Sequence, residues 1–262
     1  MGGELTIVVP ALNEEQRLAI TVEEVVRTAR RRLSAFEVIV VNDGSTDRTG
    51  EVAEELSGQF SEVVVVHHAQ TLGVGAAYHA GLRLARFGSL TLVPADNAFH
   101  ESGVDAVFRL VGRHEMVVSY RANSRARTPL RLLLSRCCTM AMRVLTGCPI
   151  QDAHSLYIFP VTKARQVPRN TGYGYHIETL STLLRGGVEY AEVPVLLNPR
   201  PDSSSKVMRF GVLARLMWTM TRLLFARFVI RRAVRFRTAE LDEALSVSRP
   251  QGKRTNHAVQ SA

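Results

Sequence analysis

Cysteine is scarce: 262 residues carry only Cys137, Cys138 and Cys148. An odd number, two of them adjacent, makes a poor disulfide framework and suits a reducing compartment, so a cytoplasmic setting is expected. Long apolar runs are missing too. No stretch of about 18 uncharged apolar residues occurs, so no clean transmembrane helix is expected. The opening "MGGELTIVVPALNEE" has no basic region followed by a long apolar segment, which argues against a signal peptide. No GxGxxG follows the first apolar run and no Walker lysine is found, against a dinucleotide enzyme or a P-loop ATPase. Aromatics make up 6% of the chain, and the basic regions lack the interleaved aromatics of a base-stacking surface, against nucleic-acid binding.

What the chain does have is apolar residues, 46% of the total, and a net charge of +9 that is unevenly placed. Arginine crowds residues 121–143 and 200–237, while the first hundred residues are nearly balanced. An anionic partner for the second half follows, with a general solubility device as the alternative.

Short Val/Ile-rich runs alternate with helical patterns. "LTIVVPAL", "FEVIVVND", "EVVVVHH", "LTLVPAD" and "EMVVSYR" read as strands, separated by amphipathic stretches such as "EEQRLAITVEEVVRTARRRL" and "GVGAAYHAGLRLARFG". That rhythm predicts βαβ units, and so an α/β fold with a mostly parallel central sheet covered by helices on both faces. Beyond residue 122, "PLRLLLSRCCTMAMRVLTG" and "YHIETLSTLLRGG" read as helices and "AHSLYIFP" as a strand. "VEYAEVPVLLNPR" reads as an extended edge strand because proline cannot donate to a ladder. No internal repeat is found. The expected organisation is an α/β domain over 1–208, a basic apolar helix or helix pair over 209–237, and a polar, disordered tail over 238–262.

Polar clusters fall where the strands end: "PALNE", "NDGSTD", "PADN" and "YR". In a parallel sheet those ends share one edge, where open α/β sheets bind ligands, so Glu14, Asp43, Asp96 and Arg121 are expected to converge. A turn with a helix cap from Thr46 or Asp47 is the simpler reading of "NDGSTD" taken alone. His67 and His68 read as polar strand-end residues and Cys137 and Cys138 as core packing, while "RTARRRL" reads as a solvated helix end.

In order, "TIVVPALNEE", "VIVVNDGSTDRT", "GVGAAYHAGL" and the acid of "LVPAD" resemble a family 2 glycosyltransferase of the GT-A fold. "QDAHSLYIF", "YHIETL", "EVPVLLNPR" and "SSSK" resemble the polyprenyl-phosphate sugar transferases. The resemblance covers residues 5–207 and implies a hexosyltransferase-like, inverting, metal-dependent enzyme. It would move a sugar from a nucleotide-diphosphate donor to a polyprenyl phosphate; a soluble metabolite as acceptor, or nucleotide-sugar binding without catalysis, are the alternatives. It implies that Pro10, Leu12, Glu14, Val41, Asp43 and Ala95 line the nucleotide pocket, closed over by Arg200 and Lys206. Asp96 would hold Mg²⁺ or Mn²⁺ against the diphosphate. Arg121, Arg131 and Ser135 would meet the acceptor phosphate, and Asp152 would stand beside the reacting sugar.

The sequence departs from the pattern in places. The metal motif reads Pro94-Ala95-Asp96, without its first carboxylate, so weaker cation affinity is expected. Thr71 stands where an asparagine usually begins a turn, and "AHSLY" lacks the usual glycine. Over residues 210–237, Arg227, Arg231 and Arg235 recur at i, i+4, i+8 beside Phe225, Phe228 and Val229. Such a segment is expected to lie in an anionic headgroup layer, holding the protein on the inner face of the membrane as a peripheral member. A helix packed on the catalytic domain is the alternative.

Overall fold

The computed structural model describes residues 2–123, 129–172, 174–198 and 221, with only the backbone given for residues 129–131. These belong to a compact unit, Met1–Thr221. Arg200, Lys206 and the basic stretch at 210–237 lie outside the described residues, apart from Thr221.

Seven strands form one sheet in the order β3-β2-β1-β4-β6-β5-β7. The strands are β1 (Glu4–Ala11), β2 (Ala35–Asn42), β3 (Val63–His67), β4 (Ser89–Leu92), β5 (Met116–Arg121), β6 (Tyr157–Pro160) and β7 (Tyr190–Val195). β1 and β2 pair in parallel over their whole length, from Glu4 opposite Ala35 to Ala11 opposite Asn42. Their central residues are buried on both faces, as continuous Val/Ile runs require. β6 alone runs the other way, antiparallel to both β4 and β5. Apolar runs give no strand direction, so this insertion between β4 and β5 was not legible. It leaves β5 pointing the same way as β1, β2 and β4, and the C-terminal ends of these strands on one edge. β7 pairs with β5 alone and closes the sheet as an edge strand, which suits Pro194.

One face is covered by α1 (Leu18–Arg32), α2 (Thr49–Gln59) and α4 (Glu101–Phe108). Their apolar residues join Leu5, Ile7, Val9, Val38 and Val40 in a continuous core. The buried positions of α1 (Leu18, Thr21, Val22, Val25, Val26, Thr28, Ala29) follow the 3.6-residue period that its sequence displays. The other face carries α3 (Val74–Leu84), which packs on β1 and β2, and α7 (Tyr175–Arg185), which packs on α3. Tyr78 of α3 and Tyr175 of α7 meet there with ring centroids 4.7 Å apart. α5 (Pro129–Thr146) and the short α6 (Val161–Ala164) flank α7. α4 ends at Phe108, and the chain continues through turns to Gly112, which takes φ +76°.

Among the described residues, no helix is long and apolar enough to cross a membrane.

Candidate active site

The loops after β1 and β2 are knitted together by reciprocal hydrogen bonds. Asn13, in the left-handed region at φ 53°, donates its backbone N–H to Ser45 Oγ (3.1 Å) and accepts from Thr46 N–H through Oδ1 (2.9 Å). Glu14 N–H donates to Thr49 Oγ1 at 2.9 Å, and Arg48 N–H to Glu15 Oε2 at 2.9 Å. Asp47 Oδ1 accepts from Thr49 N–H at 3.0 Å, but the N-cap position of α2 is Arg48 and no side chain makes the capping bond expected of Thr46 or Asp47. Gly44 takes φ +69°, and a Cβ there would lie 2.5 Å from the Gln70 carbonyl carbon. Glycine is therefore required both by backbone conformation and by close approach.

Asp43 sits at the centre of this edge, 4% exposed. Its Oδ1 accepts from Leu72 N–H (3.0 Å) and meets His68 Nδ1 (2.7 Å), while Oδ2 accepts from Gly73 N–H (2.8 Å). The carboxylate thus anchors residues 68–73. Of roughly four lone-pair positions, three are used here, leaving one for a donor such as a base N–H. His68 is this anchor's partner, and His67 bonds Glu54 and Asn42.

Asp43 N–H bonds Ala11 O and Ala95 N–H bonds Pro10 O, so the ends of β2 and β4 flank the end of β1. At a strand spacing of about 4.8 Å, Asp43 and Asp96 stand on the order of 10 Å apart on one edge. Asp96 is half-buried in a turn held at both ends. Thr21 Oγ1 donates to Ala95 O, and Asn198 Nδ2 donates to Asn97 O, Asn97 Oδ1 and Phe99 O. Asn198, which sequence reasoning did not single out, ties the segment after β7 to the Asp96 turn. Asn97 in the left-handed region (φ 49°) gives that turn its shape.

Two of the residues expected to line the nucleotide pocket have little exposed surface. Val41 is wholly buried within β2, and Ala95 is 1% exposed with its backbone N–H and carbonyl already bonded. Neither side chain has surface to offer a ligand. Pro10, Leu12 and Glu14 are partly exposed at the edge.

The second cluster lies at the end of β5. Arg121 donates Nε to Asp152 Oδ2 (2.5 Å) and Nη2 to Asp152 Oδ1 (2.8 Å), and Nη2 also reaches Ser135 Oγ at 3.0 Å. The two charged side chains are 7% and 9% exposed. Three of the four residues assigned to the acceptor and the reacting sugar therefore meet. The side chain of Arg131, the fourth, is outside the described residues.

Beside this pair runs a chain of groups that the sequence did not announce. Cys138 Sγ lies 3.0 Å from His154 Nε2, and His154 Nδ1 lies 2.8 Å from His176 Nε2. Burial pushes the Cys138 thiol up to about 12, so it remains a donor at neutral pH. A consistent assignment then has the thiol donating to His154 Nε2 and His154 Nδ1–H donating to His176. Asp152 Oδ1 accepts from His154 N–H, so the network connects to the charged pair. Cys138 is buried as expected, but Cys137 faces solvent, a correction that follows from their adjacent positions on α5.

No group of three or more His, Cys, Asp or Glu converges as a metal cage among the described residues. A single hard carboxylate at Asp96 still fits a cation completed by diphosphate oxygens and waters.

Residues 6–145 match the family model "Glycosyl transferase family 2". Over 222 residues the chain is 29% identical to a dolichyl-phosphate beta-glucosyltransferase of Trichomonas vaginalis, covering 77% of this chain and 66% of that protein. Two further proteins of that name from the same organism are matched over 30% and 45% of their length, so the chain spans roughly a third to two thirds of these relatives. An undecaprenyl-phosphate mannosyltransferase of Micrococcus luteus is 25% identical over 227 residues, 82% of this chain and 91% of that protein. Among solved structures, glucosyl-3-phosphoglycerate synthase from Mycobacterium tuberculosis, in complex with Mn²⁺, UDP and phosphoglyceric acid, superposes with a TM-score of 0.63. The identity is 23%, and the match covers 86% of this chain and 78% of that one. That likeness shows the GT-A fold.

It also corrects the expected acceptor. Structures sharing the fold over 86% of the chain hold phosphoglyceric acid or glucosyl-3-phosphoglycerate, soluble molecules, against the reading of a polyprenyl phosphate. With the model matched from residue 6 to 145, more than half its length, this chain belongs to glycosyl transferase family 2.

Proposed function

We propose that the protein is a metal-assisted glycosyltransferase that moves a sugar from a UDP-sugar to a soluble acceptor carrying an anionic group. The observation that carries this reading is the placement of Asp43, Asp96 and the Arg121–Asp152 pair along one edge of the sheet, at the ends of strands that point the same way. Support for the donor and the acceptor class comes from the M. tuberculosis synthase, whose structures contain UDP-glucose, Mn²⁺ and phosphoglyceric acid.

In this reading Pro10, Leu12, Glu14 and Asp43 bind the nucleotide, with Asp43 accepting from the base through its remaining lone pair. Asp96 would hold Mg²⁺ or Mn²⁺ on the diphosphate, which neutralises charge on the departing UDP. Arg121 grips the acceptor's carboxylate or phosphate, helped by Ser135, because a guanidinium matches such groups with two parallel hydrogen bonds. An acceptor hydroxyl must lose a proton as it attacks. Asp152 is the base in position, and transfer of Arg121 from Asp152 to the acceptor's anionic group releases the carboxylate for that role. Arg200 and Lys206 are assigned to closing over the nucleotide.

The test is mass-spectrometric detection of product from a panel of UDP-sugars, Mn²⁺ and phosphorylated hydroxy acids with the purified full chain. A glycosylated acid supports the reading; no transfer to any soluble acceptor sinks it. An Arg121→Lys variant should raise KM for the acceptor more than it lowers kcat.

A further inference from the structure

The opposite end of the sheet carries a second basic site, separate from the proposed transfer edge. Arg31 and Arg32 end α1, Arg109 follows α4, and Arg113 lies on the turn leading to β5. With Gly2 and Val111 they line a cleft of about 210 Å³. It lies beside the start of β1, and eight residues at about 3.3 Å each put it roughly 26 Å from the edge that carries Asp43 and Asp96.

The cleft has more positive charge than its surroundings balance. Glu101 is bonded by both Arg27 and Arg31, and Asp105 by both Arg32 and Arg109. Arg113 has no ion-pair partner among the described residues. Four guanidinium groups therefore share two carboxylates, and Arg113 adds a fifth positive charge. Arginine at a helix C-terminus is ordinary compensation for the helix dipole, which accounts for Arg31, Arg32 and Arg109 singly. It does not account for Arg113, five residues past the end of α4, nor for the convergence of all four on one cleft.

The frame is also fixed. Buried Asp105 accepts from Arg32 Nε (2.6 Å) and Nη2 (3.1 Å) and from Arg109 Nε (2.9 Å) and Nη2 (2.7 Å), holding both side chains in place. The floor is close-packed backbone. A Cβ on Gly2 would lie 2.1 Å from Arg32 O, and one on Gly3 2.7 Å from the Val111 carbonyl. The end of α1 thus packs against Gly2, and the turn at 109–113 against the adjacent Gly3.

We propose that this cleft binds a multiply charged phosphate group, with Arg113 as the cation left available to it. Oriented guanidiniums are the residue type that recognises phosphate by paired hydrogen bonds. The volume is below the roughly 300 Å³ at which sites for drug-sized ligands begin, so the ligand is a phosphate or pyrophosphate moiety, free or borne on a lipid headgroup.

The test is titration calorimetry of inorganic pyrophosphate into the full chain with EDTA present. In parallel, the chain is sedimented with phosphatidylglycerol vesicles, using phosphatidylcholine vesicles as the control. Saturable binding to pyrophosphate or selective binding to the anionic vesicles is expected, weakened at least tenfold in Arg113→Ala and further in Arg113→Glu. The exposed position of Arg113 makes either variant compatible with folding, which an unchanged Tm verifies. The pyrophosphate arm identifies a free ligand and the vesicle arm a headgroup. Absence of binding in both, or binding that Arg113→Ala leaves intact, overturns the proposal.

Discussion

Arg121 on β5 and Asp152, on the loop before β6, form a two-pronged ion pair with hardly any solvent contact, and Ser135 of α5 takes a further bond from the same guanidinium. Removing one member strands the other's charge in a buried setting, which costs about 3–5 kcal/mol. Asp152→Ala is therefore expected to lower stability by that order in urea unfolding. Replacing both, Arg121→Met with Asp152→Leu, should recover much of the loss while leaving no transfer activity. Equal destabilisation in the single and double variants would show that the pair is not coupled.

Asp43 holds the segment 68–73 through two backbone N–H groups and His68. Asp43→Ala removes all three bonds, so amide exchange at Leu72 and Gly73 should accelerate at least tenfold while the core amides of β1 keep their protection. Nucleotide affinity should fall in the same variant. Unchanged exchange at those two amides would mean that the loop is held by something else.

The adjacent thiols should differ sharply. Cys137 is exposed, whereas burial keeps the Cys138 thiol protonated far above neutral pH. Only thiolate reacts quickly with maleimide. At pH 7.5 peptide mapping should find Cys137 labelled within minutes and Cys138 unlabelled until the protein unfolds. Comparable rates would contradict the buried position of the Cys138–His154–His176 chain.

Acid should loosen the end of α1. Hydrogen bonds from Arg30 to Glu62, from Arg27 and Arg31 to Glu101, and from Arg32 to Asp105 hold these carboxyls below their ordinary range. A depressed folded-state value contributes stability that is complete above the unfolded value and lost as pH falls through the folded one. Tm is therefore expected to be level from pH 7 to about 5 and to decline below about 4. Asp105→Asn should show a shallower decline, and a stability that rose on acidification would refute this account.

The alternation of Val/Ile runs with amphipathic stretches disclosed a mostly parallel sheet with both faces covered, because burial on both sides leaves a continuous apolar signature. It could not disclose β6 running between β4 and β5, since strand order and direction arise from tertiary contacts. At the site, Glu14, Asp43, Asp96 and Arg121 were legible because strand ends in such sheets share an edge. The burial of Val41 and Ala95 was not legible, because adjacency to a motif says nothing about which way a side chain faces. "RTARRRL" is a solvated helix end as read, but its arginines also reach Glu62, Glu101 and Asp105, which lie 32 to 74 residues away in sequence and so left no local signal. Asn198, His154 and His176 gave no signal, because each matters only through a partner brought close by folding.

The central claim is transfer that depends on the lone carboxylate of the metal motif. Turnover of UDP-sugar with Mn²⁺ and a phosphorylated hydroxy acid should be measured in the wild type and in Asp96→Ala. The account predicts a glycosylated soluble product whose rate falls about 10²–10³-fold in the variant, the scale on which a single group stabilising transition-state charge acts. Nucleotide binding without turnover, transfer only to a lipid phosphate, or an Asp96→Ala rate equal to wild type would contradict it.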